Sequence, residues 1–277
     1  MLEYITSLRK GGLWCFASED ITQGIMEVFQ DYAYYYNTFY QDKDYQAEGA
    51  QIDLLLKKYG NHVNTLINYG CGTGKHDIEL SRLGYHCTGV DMSSVMIDIA
   101  RENAHNEQMD ISFAVADIRS YEPQLKYDAV ISLFHVMSYQ NDNNDILAAF
   151  QSARKALNKD GLFLFDVWYG SGVLSDKPAV RVKKIEDDKY KLIRIARPIM
   201  HEKKNVVDVC YEVLVIDKET AVTKVINEVH NMRYFFRPEL QFLLKQSGFE
   251  LVDNLDCQTL GETDYRSWTS YFVARAI

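Results

Sequence analysis

The residues best suited to chemistry start at a glycine cluster, Gly70-Cys71-Gly72-Thr73-Gly74, which follows a short apolar run and opens a helical pattern near Lys75. Glycine at alternate positions lets the main chain bend sharply and approach a ligand without Cβ collisions. The helix N-terminus behind it offers free N–H groups to a carboxylate or phosphate. A dinucleotide-binding loop carries its third glycine three residues after the second, but position 75 is lysine, which argues against a bridging pyrophosphate. About twenty residues after the first glycine, Asp91 closes the next apolar run in Gly89-Val90-Asp91-Met92, where a carboxylate can accept hydrogen bonds from both ribose hydroxyls. Asp117, in Ala116-Asp117-Ile118, ends the run after that, and an acid there can take an adenine amino group while Ile118 flanks the ring. The next run leads into Phe134-His135-Val136-Met137-Ser138-Tyr139, where His135 is a side chain that changes charge near neutral pH.

These positions need a scaffold that collects them on one edge. From about residue 65 to 167, short apolar runs alternate with longer helical stretches, the pattern of βαβ units and a parallel sheet. Strands are expected at Thr65–Tyr69, Tyr85–Val90, Ile111–Ala116, Ala129–Phe134 and Leu162–Val167, the last after a helix closed by Asp160-Gly161. The ligand candidates then fall at strand C-termini, the edge where open α/β sheets bind ligands. Between Asp176 and Arg233 the texture becomes alternating, as in Val207–Val213, with turns at Asp187-Asp188 and Lys204-Asn205, which reads as antiparallel sheet. A helix from near Pro238 to Gly248 and a strand pair, Leu251–Asp256 and Ser267–Ala274, complete the main sheet. The chain therefore divides into a helical cover (1–60), a ligand-binding core (61–175), an antiparallel β insertion (176–233) and a C-terminal completion of the core (234–277). The cover is dense in tyrosine, at Tyr32, Tyr34, Tyr35, Tyr36, Tyr40 and Tyr45.

Composition narrows the function classes. With 277 residues, 47% of them hydrophobic, the chain can bury a substantial core. A net charge of −9 opposes the phosphate-neutralising surface that a nucleic-acid partner requires. No apolar run approaches the roughly 18 to 20 residues of a membrane span, and the opening Met-Leu-Glu-Tyr-Ile-Thr lacks a secretion pattern, so a cytoplasmic protein without membrane contact is expected. Cys15, Cys71, Cys87, Cys210 and Cys257 lie far apart with no Cys-x-x-Cys pair, and no metal is expected.

Taken together, Asn68-Tyr69-Gly70-Cys71-Gly72-Thr73-Gly74, Val90-Asp91-Met92-Ser93, Ala116-Asp117-Ile118 and Tyr127-Asp128-Ala129-Val130-Ile131-Ser132 resemble the motifs of class I S-adenosylmethionine-dependent methyltransferases. The resemblance covers about residues 60 to 170. It implies an α/β fold, a Rossmann-like class I methyltransferase sheet with helices on both faces and an inserted antiparallel β subdomain. It further implies that Asn68, Gly70, Cys71, Gly72 and Gly74 surround the methionine part of S-adenosyl-L-methionine, Asp91 and Met92 the ribose, and Asp117, Ile118 and Phe134 the nucleoside. Asn68 stands where the family usually has an acid, and it can accept a hydrogen bond from the methionine amino group without supplying charge.

Tyr36-Asn37-Thr38-Phe39-Tyr40-Gln41-Asp42-Lys43-Asp44-Tyr45 is similar to the N-terminal segment of methyltransferases that act on the amino group of nucleotide-linked deoxysugars. That likeness implies that Tyr36, Tyr40 and Tyr45 close over the cofactor and that the insertion shapes the acceptor pocket and a homodimer contact. Methyl transfer from a sulfonium needs alignment, desolvation and an acceptor lone pair, so an amine must lose a proton first. His135 and Tyr139 are the catalytic candidates, and Trp168, Tyr169, His230 and Arg233 are candidates for the wall of the acceptor pocket. The expected function is methylation of a small molecule, with an amino sugar nucleotide as the sharpest form. The alternatives are an O-methyltransferase of another metabolite and a catalytically silent cofactor-binding interaction protein. A methyltransferase for tRNA or protein would want a basic surface.

Overall fold

The computed structural model describes residues 33–277. The first part of the helical cover, including Cys15 and Tyr32, lies outside the described residues. Two helices, α1 (Ala33–Phe39) and α2 (Tyr45–Tyr59), precede β1 (Thr65–Tyr69), α3 (Lys75–Arg82), β2 (His86–Asp91), α4 (Ser94–Asn106), β3 (Ser112–Val115), β4 (Tyr127–Ser132), α5 (Asn143–Ala156) and β5 (Leu157–Tyr169). A short helix, α6 (Gly170–Ser175), leads into the strands β6 (Arg181–Glu186), β7 (Tyr190–His201), β8 (Val206–Asp217) and β9 (Thr223–Phe235). The chain closes with α7 (Arg237–Gln246), β10 (Phe249–Asp256) and β11 (Thr269–Ala276).

Strands β3, β2, β1, β4 and β5 lie side by side in that order, all parallel. Antiparallel β11 then pairs with β5, and β10 with β11. The order reverses between β1 and β4, so the crevice at their C-terminal ends is the place where such a sheet takes a ligand. Side-chain alternation sends Ile67, Tyr69, Phe163 and Phe165 to one face, under Phe150 of α5 and Leu240 and Leu244 of α7. It sends Leu66, Ile131 and Leu164 to the other, under Ile52 and Leu56 of α2 and Leu80 of α3. Helix starts are fixed locally. Asp44, Ser93 and Asp142 accept hydrogen bonds from the main-chain N–H groups of Ala47, Met96 and Asn144 at 2.8, 3.3 and 2.8 Å.

Strands β6 to β9 form an antiparallel meander before α7. It joins the main sheet only where Trp168 and Tyr169 pair with Tyr234 and Phe235. Its hairpin turns use the expected residues: Asp187 accepts N–H bonds from Lys189 and Tyr190, and Asn205 is left-handed with φ 55°. One boundary differs from expectation. Asp160-Gly161 does not close α5, which ends at Ala156. Leu157 is already extended, and Asp160, with φ 62°, turns a bulge between the Tyr127–Leu157 and Ala129–Leu162 pairs. A Cβ on Gly161 would sit 3.1 Å from the Asp128 carbonyl oxygen, so glycine there serves a close strand approach and not a helix end.

Candidate active site

The bend after β1 is tied to the neighbouring strand: the N–H groups of Gly70 and Cys71 both donate to the Val90 carbonyl, at 2.8 and 3.0 Å. Gly70 has φ +76°, and a Cβ there would meet Val136 Cγ2 at 2.5 Å. Gly72 has φ +55° with nothing within 4 Å of its missing Cβ, so it demands glycine through conformation while leaving open space beside the main chain. Gly70, Cys71, Gly72 and Thr73 line a cavity of about 310 Å³. Gly74 caps α3 outside the lining, packed against Phe113.

Asp91 reaches the same cavity from the end of β2. Its Oδ2 accepts from Gly72 N–H and its Oδ1 from Ser93 N–H, both at 2.9 Å, while burial pushes its carboxyl above the ordinary range against the pull of those donors. Of the other nucleoside candidates Phe134 lines the cavity, whereas Met92, Asp117 and Ile118 do not. Met92 is 64% exposed, because the chain leaves the sheet there, and buried Met96 of α4 contributes to the lining instead. Asp117 is held by Arg119 through two guanidinium nitrogens, which lowers its carboxyl pKa, and Arg119 also pairs with Asp145 at 3.2 Å. Ile118 packs into the core beside Ile67, Tyr69 and Val90.

Asn68 lies buried beneath the bend, also outside the lining, with its Nδ2 donating to Asp77 Oδ2 at 2.9 Å. The second oxygens of both, Asn68 Oδ1 and Asp77 Oδ1, are buried without a hydrogen-bond partner. Burial pushes the Asp77 carboxyl up to about 7. An acid is thus present next to Asn68, nine residues along, in the first turn of α3. Nothing in the spacing of the glycine motif marks it.

The helical cover supplies another wall. Tyr36, Tyr40 and Tyr45 all line the cavity, with Tyr36 against Tyr40 at 4.6 Å, Tyr40 edge-on to Phe134 at 5.2 Å and Tyr45 against His76 at 4.9 Å between ring centroids. Thr73 Oγ1 donates to Asn37 Oδ1 at 3.0 Å, fastening α1 to the bend. Lys43 is buried beneath this cover, its ammonium 3.6 Å from the Phe134 ring centre and 2.9 Å from Glu48, and burial lowers its pKa.

Facing the bend, Phe134 and His135 follow β4 with φ 66° and 67°. Two consecutive non-glycine residues in this region store roughly 1–3 kcal/mol each, which surrounding structure must hold. Asp166 of β5 does so, accepting the His135 N–H at Oδ1 (3.1 Å) and placing Oδ2 2.6 Å from Nδ1. Tyr139 ends the 3-10 turn Val136–Tyr139, and its hydroxyl lies 2.7 Å from His230 Nδ1. His230 Nε2 is in turn 3.2 Å from Glu228 Oε2. His135, Tyr139, Trp168 and His230 all line the cavity. Tyr169 and Arg233 do not. Tyr169 is core, and Arg233 is buried where its guanidinium joins Glu239 and Asn143 and covers the Phe235 ring at 4.7 Å. It anchors β9 to α5 and α7 and lies outside the pocket lining.

Several lining residues escaped the sequence reading: Lys75 and His76 after the bend, Val209 and Tyr211 of β8, Met232 of β9, and Trp268. Period-2 alternation in Val207–Val213 already puts Val209 and Tyr211 on one face, so they could have been found. Trp268 carries no local signal; it meets Trp168 at 4.9 Å because β11 pairs with β5.

This geometry can be set beside known proteins. A methyltransferase-domain family model matches residues 67–161, from β1 to the start of β5. Those residues are similar to a methyltransferase domain. A putative methyltransferase of Geobacillus sp. is 29% identical over half of this chain and 57% of its own length. A dTDP-3-amino-3,4,6-trideoxy-alpha-D-glucopyranose N,N-dimethyltransferase of Streptomyces venezuelae is 26% identical over 53% of this chain and 61% of its own. The matched stretch thus spans less than two thirds of either relative. An S-adenosylmethionine-dependent methyltransferase structure from Clostridium acetobutylicum superposes over 90% of this chain and 99% of that one, with TM-score 0.75 at 18% identity, so the class I methyltransferase fold extends well beyond the matched domain. Among the described residues no helix is long and apolar enough to cross a membrane, and no group of three or more His, Cys, Asp or Glu is arranged to hold a metal.

Proposed function

We propose that this protein is an S-adenosyl-L-methionine-dependent methyltransferase acting on a small molecule, with the amino group of a nucleotide-linked sugar as acceptor. The observation that carries the reading is one cavity bordered by both the glycine bend with Asp91 and a wall of Tyr139, Trp168 and His230. A donor and an acceptor molecule can therefore meet there. The cradle suits this cofactor: open main chain at Gly72 for the methionine part, a buried carboxylate at Asp91 for the ribose, and the Asn68–Asp77 pair with two unpartnered oxygens near the bend for a cationic amino group. When bound, the cofactor supplies an electrophilic methyl group on a sulfonium.

The chain's own residues do the rest. Tyr36, Tyr40 and Tyr45 exclude water from above, and the aromatic wall orients the acceptor beside His135 and Tyr139, the catalytic candidates. The amino-sugar assignment draws on the Streptomyces dimethyltransferase among the relatives. A net charge of −9 supports a small-molecule acceptor over a nucleic acid. The same reading makes the protein cytoplasmic, and the exposed Val182, Val225 and Val229 of the meander are the face for a homodimer contact.

Incubation with methyl-labelled cofactor and a panel of dTDP-linked amino sugars and their hydroxyl counterparts tests the proposal. Label on an amino sugar is expected. Label only on a hydroxyl sugar would change the acceptor atom, and tight cofactor binding with no transfer to any compound would favour the silent interaction protein.

A further inference from the structure

His135 stands between two cavities. The first is the reaction cavity. The second, about 210 Å³, lies behind it and is bordered by Glu48, Asp166, Cys257 and Gln258, sharing His76, Leu133, Phe134, His135 and Thr269 with the first. Asp166 borders only the second, and it is 4% exposed. Its Oδ1 accepts the His135 main-chain N–H, and its Oδ2 stands 2.6 Å from the buried Nδ1, which in this ring orientation has no hydrogen-bond partner of its own. The ring itself is confined, stacked on Phe134 at 5.3 Å and edge-on to Trp168 at 6.5 Å.

An imidazole whose Nδ1 faces a carboxylate keeps its proton on that nitrogen and leaves Nε2 as the basic one. We propose that Asp166 is a positioning residue that fixes this tautomer, so that His135 Nε2 receives the proton an amine acceptor must lose before methylation. The proposal rests on the methyltransferase reading and adds the group that prepares the base. In the balanced step, the acceptor ammonium gives its proton to Nε2, and the freed nitrogen lone pair bonds to the methyl carbon. The carbon–sulfur bond breaks as the nitrogen–carbon bond forms, its electrons left on sulfur, and the imidazolium is stabilised by the Asp166 charge. Around this pair the other titratable groups are Lys43 and Glu48 of the cover, His76 of α3, Cys257 and Tyr271, and all five feel the charges of the same cluster. Lys43 is the cation among them, and Asp166 is one of the charges that act on it.

Nitrogen-15 NMR of the histidine rings, with a His135→Gln spectrum for assignment, reads the tautomer directly. In the wild type His135 should carry its neutral-form proton on Nδ1. Asp166→Asn should reverse this, because its Oδ1 still takes the His135 N–H and its amide then donates to Nδ1, leaving the proton on Nε2. With dTDP-3-amino-3,4,6-trideoxyglucose as acceptor, Asp166→Asn should lower kcat about 100-fold near pH 7 while leaving S-adenosylhomocysteine affinity within about two-fold. The deficit should shrink as pH rises toward the amine's own pKa, where solution supplies free amine without a base.

A wild-type Nε2–H tautomer, or the same tautomer in both proteins, would overturn the proposal. So would the expected reversal with kcat and its pH profile unchanged. If the wild type transferred methyl to no acceptor while the tautomer reversed as expected, the methyltransferase reading would fall, and with it the role of the base, while the Asp166–His135 orientation stood. Should Asp166→Asn not fold, the wild-type tautomer alone decides.

Discussion

Across the cavity from each other stand two walls made in different ways. On the side of the bend, Gly70 and Gly72 offer main chain, fixed by hydrogen bonds to Val90 and Asp91 that a few neighbouring residues make. On the side of the meander, Val209, Tyr211, His230 and Met232 offer side chains from β8 and β9, which touch the main sheet only through the ends of β5 and β9. A main-chain wall tolerates little sequence change, since a Cβ on Gly70 would fall 2.5 Å from Val136. A side-chain wall can be rebuilt residue by residue without disturbing the strands that carry it. The first is the part that recurs in the methyltransferase-domain match, and the second lies beyond residue 161, where that match ends.

Substitutions can break or sharpen this contrast. The largest effect is expected on the main-chain side. Asp91→Ala removes the acceptor of the Gly72 and Ser93 N–H groups and the carboxylate offered to the ribose, and it should weaken S-adenosylhomocysteine binding at least about 100-fold in calorimetry, with the circular dichroism spectrum unchanged. Affinity within a few-fold of wild type would remove Asp91 from the cofactor side.

Next comes a pH effect beneath the bend. Burial lifts Asp77 from 3.8 to about 7, so between these values the folded chain holds a proton that the unfolded chain has released. Its contribution to stability is full at low pH and is lost as pH rises toward 7. Relative to Asp77→Asn, the wild type should lose about 4 kcal/mol across that window, read as a difference in denaturant midpoints. Parallel pH curves for the two proteins would show that Asp77 does not sense the burial.

On the side-chain wall the expected loss is smaller and of another kind. His230→Ala removes the partner of the Tyr139 hydroxyl, and it should lower kcat/KM for the acceptor about ten-fold while S-adenosylhomocysteine affinity stays within about two-fold. Loss of cofactor affinity instead would erase the division between the walls. The smallest effect belongs to Met92→Ala: an exposed side chain outside the cavity should change cofactor affinity by less than about two-fold, and a larger loss would return Met92 to the site.

The physical range of each signal explains how much of this was legible beforehand. The glycine bend, Asp91 at the end of β2 and the insertion before α7 follow from preferences acting over a few residues: left-handed glycine, helix caps and period-2 or 3.6 patterning; the three tyrosines came only from the resemblance of their segment to a known family. Ile118, Tyr169 and Arg233 lie outside the cavity lining, which their local sequence could not reveal because it fits a site and a core equally well, and only packing separates the two. The bulge at Asp160 went unseen for a similar reason, since Asp-Gly ends helices as readily as it turns a strand.

Sequence alone determined that a glycine-built bend would close the first strand, because that bend is built from neighbours in the chain. Only the tertiary structure decided what stands opposite. Asp166 reaches His135, Asp77 backs Asn68, and Trp268 joins Trp168 through strand order and register, which bring together residues whose separation in sequence says nothing of their distance in space.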